Sequence, residues 1–164
     1  MIKCISTRFG TFEVDERTIL MFPAGLLGFP EQQRYVMLDH DTEAPFKWLQ
    51  SLDEPGLAFV IIDPVLFDGA YRLEYTHDAL DDVGGGQTED LTVAVILTIP
   101  SEDPCRITAN LRGPLLLNTR TRLCKQLVLS DDIPTRYPLF PIPAPDGGTT
   151  SHAEKQPFTT ACPA

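Results

Sequence analysis

The sequence predicts an all-β (mainly β) fold: one small β-barrel-like domain with at most one or two short helices. Three observations lead there. Apolar residues recur along the first 140 positions at the short, alternating spacings of strands. Gly10, Pro23, Pro64, Pro100 and Gly113 punctuate those runs. The connections are too short for the helical crossovers that a parallel sheet requires. About nine to eleven strands are implied, and a closed or partly closed barrel is the simplest protection for so many edges.

Taken in order, Ile2 and Cys4 alternate with Lys3 and Ile5, and Phe12 and Val14 alternate with Thr11 and Glu13. The Arg8-Phe9-Gly10 turn between them makes two short antiparallel strands. Ile19 to Phe22 is a third strand, stopped by Pro23. The stretch PAGLLGFP at 23–30 excludes a long regular element. Its Leu26, Leu27 and Phe29 either enter the core or face a partner.

Tyr35–Leu38 and Phe46–Leu49 are further strands, the second holding the only tryptophan, Trp48. Leu57–Ile62 is a β-branched apolar run suited to burial on both faces, ended by Asp63-Pro64. Residues 65–75 read as a strand ending in the alternating YRLEY. Thr76 suits the N-cap of a helix of one or two turns from His77, broken by Gly84-Gly85-Gly86. Leu91–Ile99 is the strongest strand signal; 106–111, Leu115–Leu117 and Leu123–Leu129 follow.

Beyond Ser130 the texture changes. Five prolines in 134–145 permit extended docking but not a place inside a sheet. The expected organisation is one domain over 1–145 and a disordered tail over 146–164, where small polar residues predominate.

The 164 residues carry 13 basic and 23 acidic side chains, a formal charge of −10. Residues 1–100 hold 6 basic and 17 acidic groups, a net of −11, while 101–164 hold 7 and 6, a net of +1. The acidic part repels phosphate backbones, so no direct nucleic-acid binding is expected, and a basic protein partner would be steered toward it. Arg112, Arg120, Arg122 and Lys125 form at most a modest positive patch without interleaved aromatics. The N-terminus has no apolar signal region, and runs such as VAVIL at 93–97 are too short to span a bilayer. No membrane association, a cytoplasmic location and a monomer are expected. Cys4, Cys105, Cys124 and Cys162 are scattered, with no CxxC pair, so all four are expected to be reduced.

Chemistry-bearing patterns are missing from the sequence. His40, His77 and His152 belong to no HxH or HExxH spacing. No GxSxG occurs, and Gly84-Gly85-Gly86 lacks the Lys-Ser or Lys-Thr of a phosphate loop. Asp63 reads as the cap of a strand-ending turn. No enzyme activity, catalytic residue, cofactor or metal is expected.

Five stretches carry a family likeness: TRFGTFEV at 7–14, FPAGLLGFPE at 22–31, FKWLQSLDEPGLAFVIIDP at 46–64, TANLRGPLLLN at 108–118 and KQLVLSD at 125–131. In number, order and spacing they resemble the FliW family of bacterial flagellar assembly factors. The resemblance implies a β-barrel-like protein without enzymatic activity that binds flagellin in the cytoplasm. It also implies binding to CsrA, a dimeric RNA-binding regulator that represses flagellin translation. Secretion of flagellin would free the protein to antagonise CsrA allosterically. The alternative is a chaperone that holds flagellin without regulating CsrA.

The matching positions include Gly10, Gly25, Gly28, Phe29, Leu49, Gln50, Asp63, Pro64, Asn110, Leu111 and Asn118. Candidate partner contacts are Leu26, Phe29, Tyr71, Tyr75, Asn110 and Asn118. The chain departs from the family pattern at Cys124, where a small residue is expected, at Gly113, where alanine is common, and in its longer tail.

Overall fold

The computed structural model describes residues 1–39 and 45–140. The expected tail over 146–164, and His40, His152 and Cys162, lie outside the described residues. Eleven strands and one short helix make up the regular structure, with four 3-10 turns between them. The expectation of a mainly-β fold holds.

Strands β1 (Ile2–Ser6) and β2 (Gly10–Val14) pair antiparallel as a separate two-stranded sheet. Their turn closes because the Ser6 hydroxyl accepts from the Arg8 and Phe9 amides, at 3.0 and 3.1 Å. Strands β3 (Leu20–Met21), β4 (Arg34–Asp39), β5 (Lys47–Ser51) and β6 (Ala58–Ile62) follow. Then come β7 (Leu91–Thr98), β8 (Thr108–Ala109), β9 (Leu115–Asn118), β10 (Cys124–Gln126) and β11 (Tyr137–Pro138). They form one nine-stranded antiparallel sheet in the order β10-β9-β7-β6-β5-β4-β3, with β8 and β11 attached beside β7.

The two ends of this sheet meet at a single point. Met21 in β3 makes an isolated parallel bridge to Leu123, just ahead of β10, and its amide donates to the Arg122 carbonyl at 2.8 Å. Closure is therefore one bridge and not a ladder, so the sheet is barrel-like but open. Pro23 ends β3 before more of a ladder can form.

Inside the curl, Leu20, Phe22, Leu26, Tyr35, Leu49, Ile61, Leu115 and Leu117 pack together. A second cluster, with Ile62, Val95, Ala109 and Leu139, fills the β8–β11 end. The hairpin β1–β2 caps β4 through Cys4, Val14 and Val36. Gln50, fully buried in β5, joins the two sheets. It accepts from Ser6 Oγ at 2.7 Å and donates to the carbonyls of Ser51, Leu57 and Pro55, at 2.9, 3.2 and 3.3 Å. A buried amide is tolerated because its polar atoms are paired.

Three expectations need correction. Residues 65–75 do not form a strand: Pro64–Leu66 is a 3-10 turn and 71–76 has no regular structure. Pro64 has no N–H to extend the pairing of β6 with β7, so the chain leaves the sheet there. The strand expected over Leu123–Leu129 shortens to β10. Cys4 and Cys124 are free and buried, but Cys105 is disulfide-bonded, so the expectation of four reduced thiols does not hold. By contrast, helix α1 (His77–Asp82) starts where expected, with Thr76 Oγ1 accepting from the Ala79 amide at 3.1 Å.

Candidate protein-docking site

Among the described residues no group of three or more His, Cys, Asp or Glu is arranged to hold a metal ion. No helix among the described residues is long and apolar enough to cross a membrane. Burial pushes the Cys124 thiol up to about 12, which leaves it unreactive as a nucleophile at neutral pH. Exposed apolar side chains are scattered over the described surface, Met1, Ile5, Leu27, Val65 and Val128 most of all; the apolar candidates from the sequence fall at two places, the 23–30 loop and the 71–76 segment.

The 23–30 loop is a tight reversal. The Leu26 amide donates to the Phe29 carbonyl and the Phe29 amide to the Leu26 carbonyl, at 3.2 and 2.8 Å. Leu27 and Gly28 form its tip, and Gly28 takes the left-handed φ of +86° that such a turn needs. Gly25 is tighter still. Its φ is +68°, and a Cβ there would lie 2.3 Å from the Phe29 carbonyl oxygen. This geometry divides the three apolar residues. Leu26 is 3% exposed and part of the core. Leu27 is 60% exposed and Phe29 37%, with Phe29 packed edge-on against Phe59 at a centroid distance of 5.6 Å. Gln126 anchors the tip, accepting from the Leu27 amide at 2.8 Å while donating to the Gly113 carbonyl at 2.9 Å. Its amide also occupies the space where a Gly113 Cβ would sit.

The 71–76 segment packs over the cluster that includes Leu116 and Leu127. Tyr71, Leu73 and Tyr75 turn inward and are half-buried, while Arg72 and Glu74 are exposed. Leu73 and Tyr75 pack with Leu80, Leu91, Val93, Leu123 and Leu129 over Leu116. A groove lies on each side. The larger, about 500 Å³, is lined by Asp68, Leu111, Leu129, Ile133 and Pro134. The other, about 350 Å³, is lined by Asp63, Val65, Leu91 and Val93. The Tyr71 hydroxyl is buried without a hydrogen-bond partner, and burial, then Asp68, raises its pKa.

Asn110 and Asn118 have their side chains engaged inside the fold. Asn110 Oδ1 accepts from the Arg112 and Gly113 amides, at 3.1 and 3.0 Å, and shapes the turn before β9. Asn118 is 0% exposed. Its Nδ2 donates to the Val83 and Gly85 carbonyls, at 3.0 and 2.7 Å, and its Oδ1 accepts from the Arg120 and Thr121 amides, at 2.9 and 3.0 Å. It ties the loop after α1 to the β9–β10 turn. Leu26 and Asn118 therefore have no face to offer a partner, whereas Phe29, Tyr71 and Tyr75 do. Leu27, exposed beside them, was missing from the sequence-based candidates, because the pattern alone does not show which of two adjacent leucines a turn displays.

Two of the four bases of the positive patch are paired with carboxylates. Arg120 pairs with Asp90 at 3.3 Å and Lys125 with Asp82, while Arg112 donates to the carbonyls of Asp131 and Ile133. Around it, residues 63–90 hold eight acidic side chains and one basic, Arg72. That surface favours a cationic partner and disfavours nucleic acid.

Comparison with known proteins agrees with this architecture. The FliW protein family model matches residues 3–139. A flagellar assembly factor FliW from Leptospira biflexa is 44% identical over 124 residues, covering 76% of this chain and 81% of that protein. One from Syntrophus aciditrophicus is 40% identical over 140 residues, covering 85% and 88%. A crystal structure of the flagellar assembly factor FliW superposes with a TM-score of 0.76 at 33% identity, covering 85% of this chain and 98% of the other. A match along nearly the whole folded region, in sequence and in three dimensions, leads to one conclusion: the chain belongs to the FliW family.

Proposed function

We propose that this chain serves flagellar assembly by binding proteins and not by catalysis: it holds flagellin in the cytoplasm and, when flagellin is scarce, binds CsrA and relieves repression of flagellin translation. Family membership over residues 3–139 carries this reading. The surface supports it, because an acidic rim surrounds displayed apolar groups and no chemistry-bearing cluster competes with it. Rim charges steer encounter, and the apolar groups Phe29, Tyr71 and Tyr75 supply contact area. Leu26, Asn110 and Asn118 act indirectly, by shaping the elements that carry these contacts. The protein works as a monomer, and the tail from 146 onward takes no part.

The test is calorimetric titration of the purified protein with flagellin and, separately, with CsrA, followed by RNA competition against the CsrA complex. Saturable binding of both partners, with RNA competition that reaches a plateau, is the expected result. A purely competitive RNA pattern overturns the allosteric element, and absence of binding to either partner overturns the reading. The second reading, a flagellin-holding chaperone without CsrA regulation, is favoured by the relatives' names, which speak of assembly alone. Flagellin binding without CsrA binding selects it.

A further inference from the structure

The 71–76 segment alternates in burial like a strand, yet it joins no ladder. Among the described residues no hydrogen bond engages the N–H or C=O groups of Arg72, Leu73, Glu74 or Tyr75; the Arg72 guanidinium reaches only the Tyr71 carbonyl, at 2.7 Å. Eight backbone polar groups are thus left open on a segment whose inward side chains already hold it in place. Unpaired backbone whose side chains alternate in this way is a template for a further strand. The larger groove beside it has an apolar floor of Leu111, Leu129, Ile133 and Pro134, where alternate side chains of an added strand can settle. Asp68, Glu74 and the single base Arg72 line the groove, and Asp131 and Asp132 adjoin it in the chain, so the rim is net acidic.

We infer that Tyr71–Tyr75 is a docking strand on which an extended segment of a protein partner, alternating apolar and basic residues, pairs by β-augmentation along the larger groove. Main-chain bonds to the strand supply affinity, and the apolar floor and carboxylate rim select the sequence. The inference rests on the reading above that the chain works by binding proteins, and it names where and how a partner chain is held.

The experiment follows amide hydrogen exchange by NMR in the full chain, with two probes. The first is an eight-residue peptide alternating valine and lysine, with a version carrying glutamate for lysine as control. The second is purified flagellin. The expected result with the first peptide is at least about tenfold slower exchange at alternate amides within 72–76, and at least about tenfold weaker binding of the glutamate version. Alternation is the decisive sign, because a partner lying on the side chains would not protect one parity of amides alone. Failure of the valine–lysine peptide to bind at millimolar concentration, or binding without alternate protection, overturns the docking strand. If the peptide binds as expected and flagellin does not bind at all, the docking strand stands and flagellin is removed as its partner. If flagellin binds and leaves these amides unprotected while the peptide protects them, the strand again stands and flagellin docks elsewhere.

Discussion

The loop at 23–30 and the segment at 71–76 both bring large apolar side chains to the surface, and they are held in opposite ways. In the loop the backbone does the holding: Gly25 donates to the Phe22 carbonyl, and Leu26 and Phe29 exchange two bonds. Its side chains are then free to divide, Leu26 inward and Leu27 outward. In the segment the side chains do the holding, because Tyr71, Leu73 and Tyr75 are packed while the backbone between them is bare. A loop closed on its own hydrogen bonds offers a partner only side chains. A segment fastened by its side chains offers a partner its backbone as well. The two should therefore answer differently to backbone and to side-chain substitutions.

The largest effect is expected at Gly25. Gly25→Ala puts a methyl 2.3 Å from a backbone oxygen and forces a left-handed φ on a residue with a Cβ. A loss of about 3 kcal/mol or more is expected in urea unfolding. At Gly28, where a Cβ meets nothing within 4 Å, only the φ penalty remains, about 1 kcal/mol. Equal losses at the two glycines would contradict the backbone-held account of this loop.

Proline sharpens the contrast next. Met37→Pro in β4, which pairs with β5, removes a ladder bond or distorts the strand and should cost about 3 kcal/mol. Glu74→Pro removes an N–H that bonds nothing inside the chain, and should cost under about 0.5 kcal/mol. Urea midpoints for both variants check this, and a large loss at Glu74 would mean its backbone is engaged after all.

Asn118→Ala tests whether that residue is architectural. The Gly85 carbonyl and the Arg120 and Thr121 amides lose their partner around a fully buried side chain, while the Val83 carbonyl keeps the Thr121 hydroxyl, at a cost of about 2 kcal/mol. Circular dichroism melts would register it. Unchanged stability together with weakened partner binding would return Asn118 to the contact surface.

The smallest effect is electrostatic. Burial alone would raise the Asp53 pKa, but the amides of Arg34 and Gln33 and the Arg34 side chain bond the carboxylate and hold it below the usual range. A depressed folded-state pKa adds stability above the unfolded value, near about 4. That stability is lost as pH falls through the folded value. Asp53→Asn should therefore flatten the acid side of the stability–pH profile and change little of its shape above about pH 6. An unaltered acid limb would show that Asp53 does not contribute.

Much of this protein was legible from local pattern. Alternation placed β1 and β2, and short apolar runs bounded by turn residues placed β4 to β7, within a residue or two, because such patterns mark strands buried on one face or on both. Thr76 before His77 located α1, because a cap acts over one turn and needs no tertiary partner. The family likeness was legible too, since its stretches record turns and packing that differ little among members. Whether Tyr71–Tyr75 joins a sheet was not legible, because alternation reports burial and says nothing of whether a neighbouring strand is present. Pro64, by ending β6, withheld that neighbour. Nor did the sequence tell Leu26 from Leu27, since a reversal of two residues decides which of them faces the core. Cys105 was misjudged for a similar reason: sequence separation carries no information on which thiols meet in space. The role of Asn118 likewise depended on the Val83 and Gly85 carbonyls, which lie more than thirty residues away and which only the folded chain brings to its side chain. Most of the strands and the helix came from residue order alone, because each depends on groups a few positions apart. The open sheet closed by one bridge, the displayed apolar residues and the unpaired backbone at 71–76 were decided by tertiary structure, because each depends on which distant groups become neighbours.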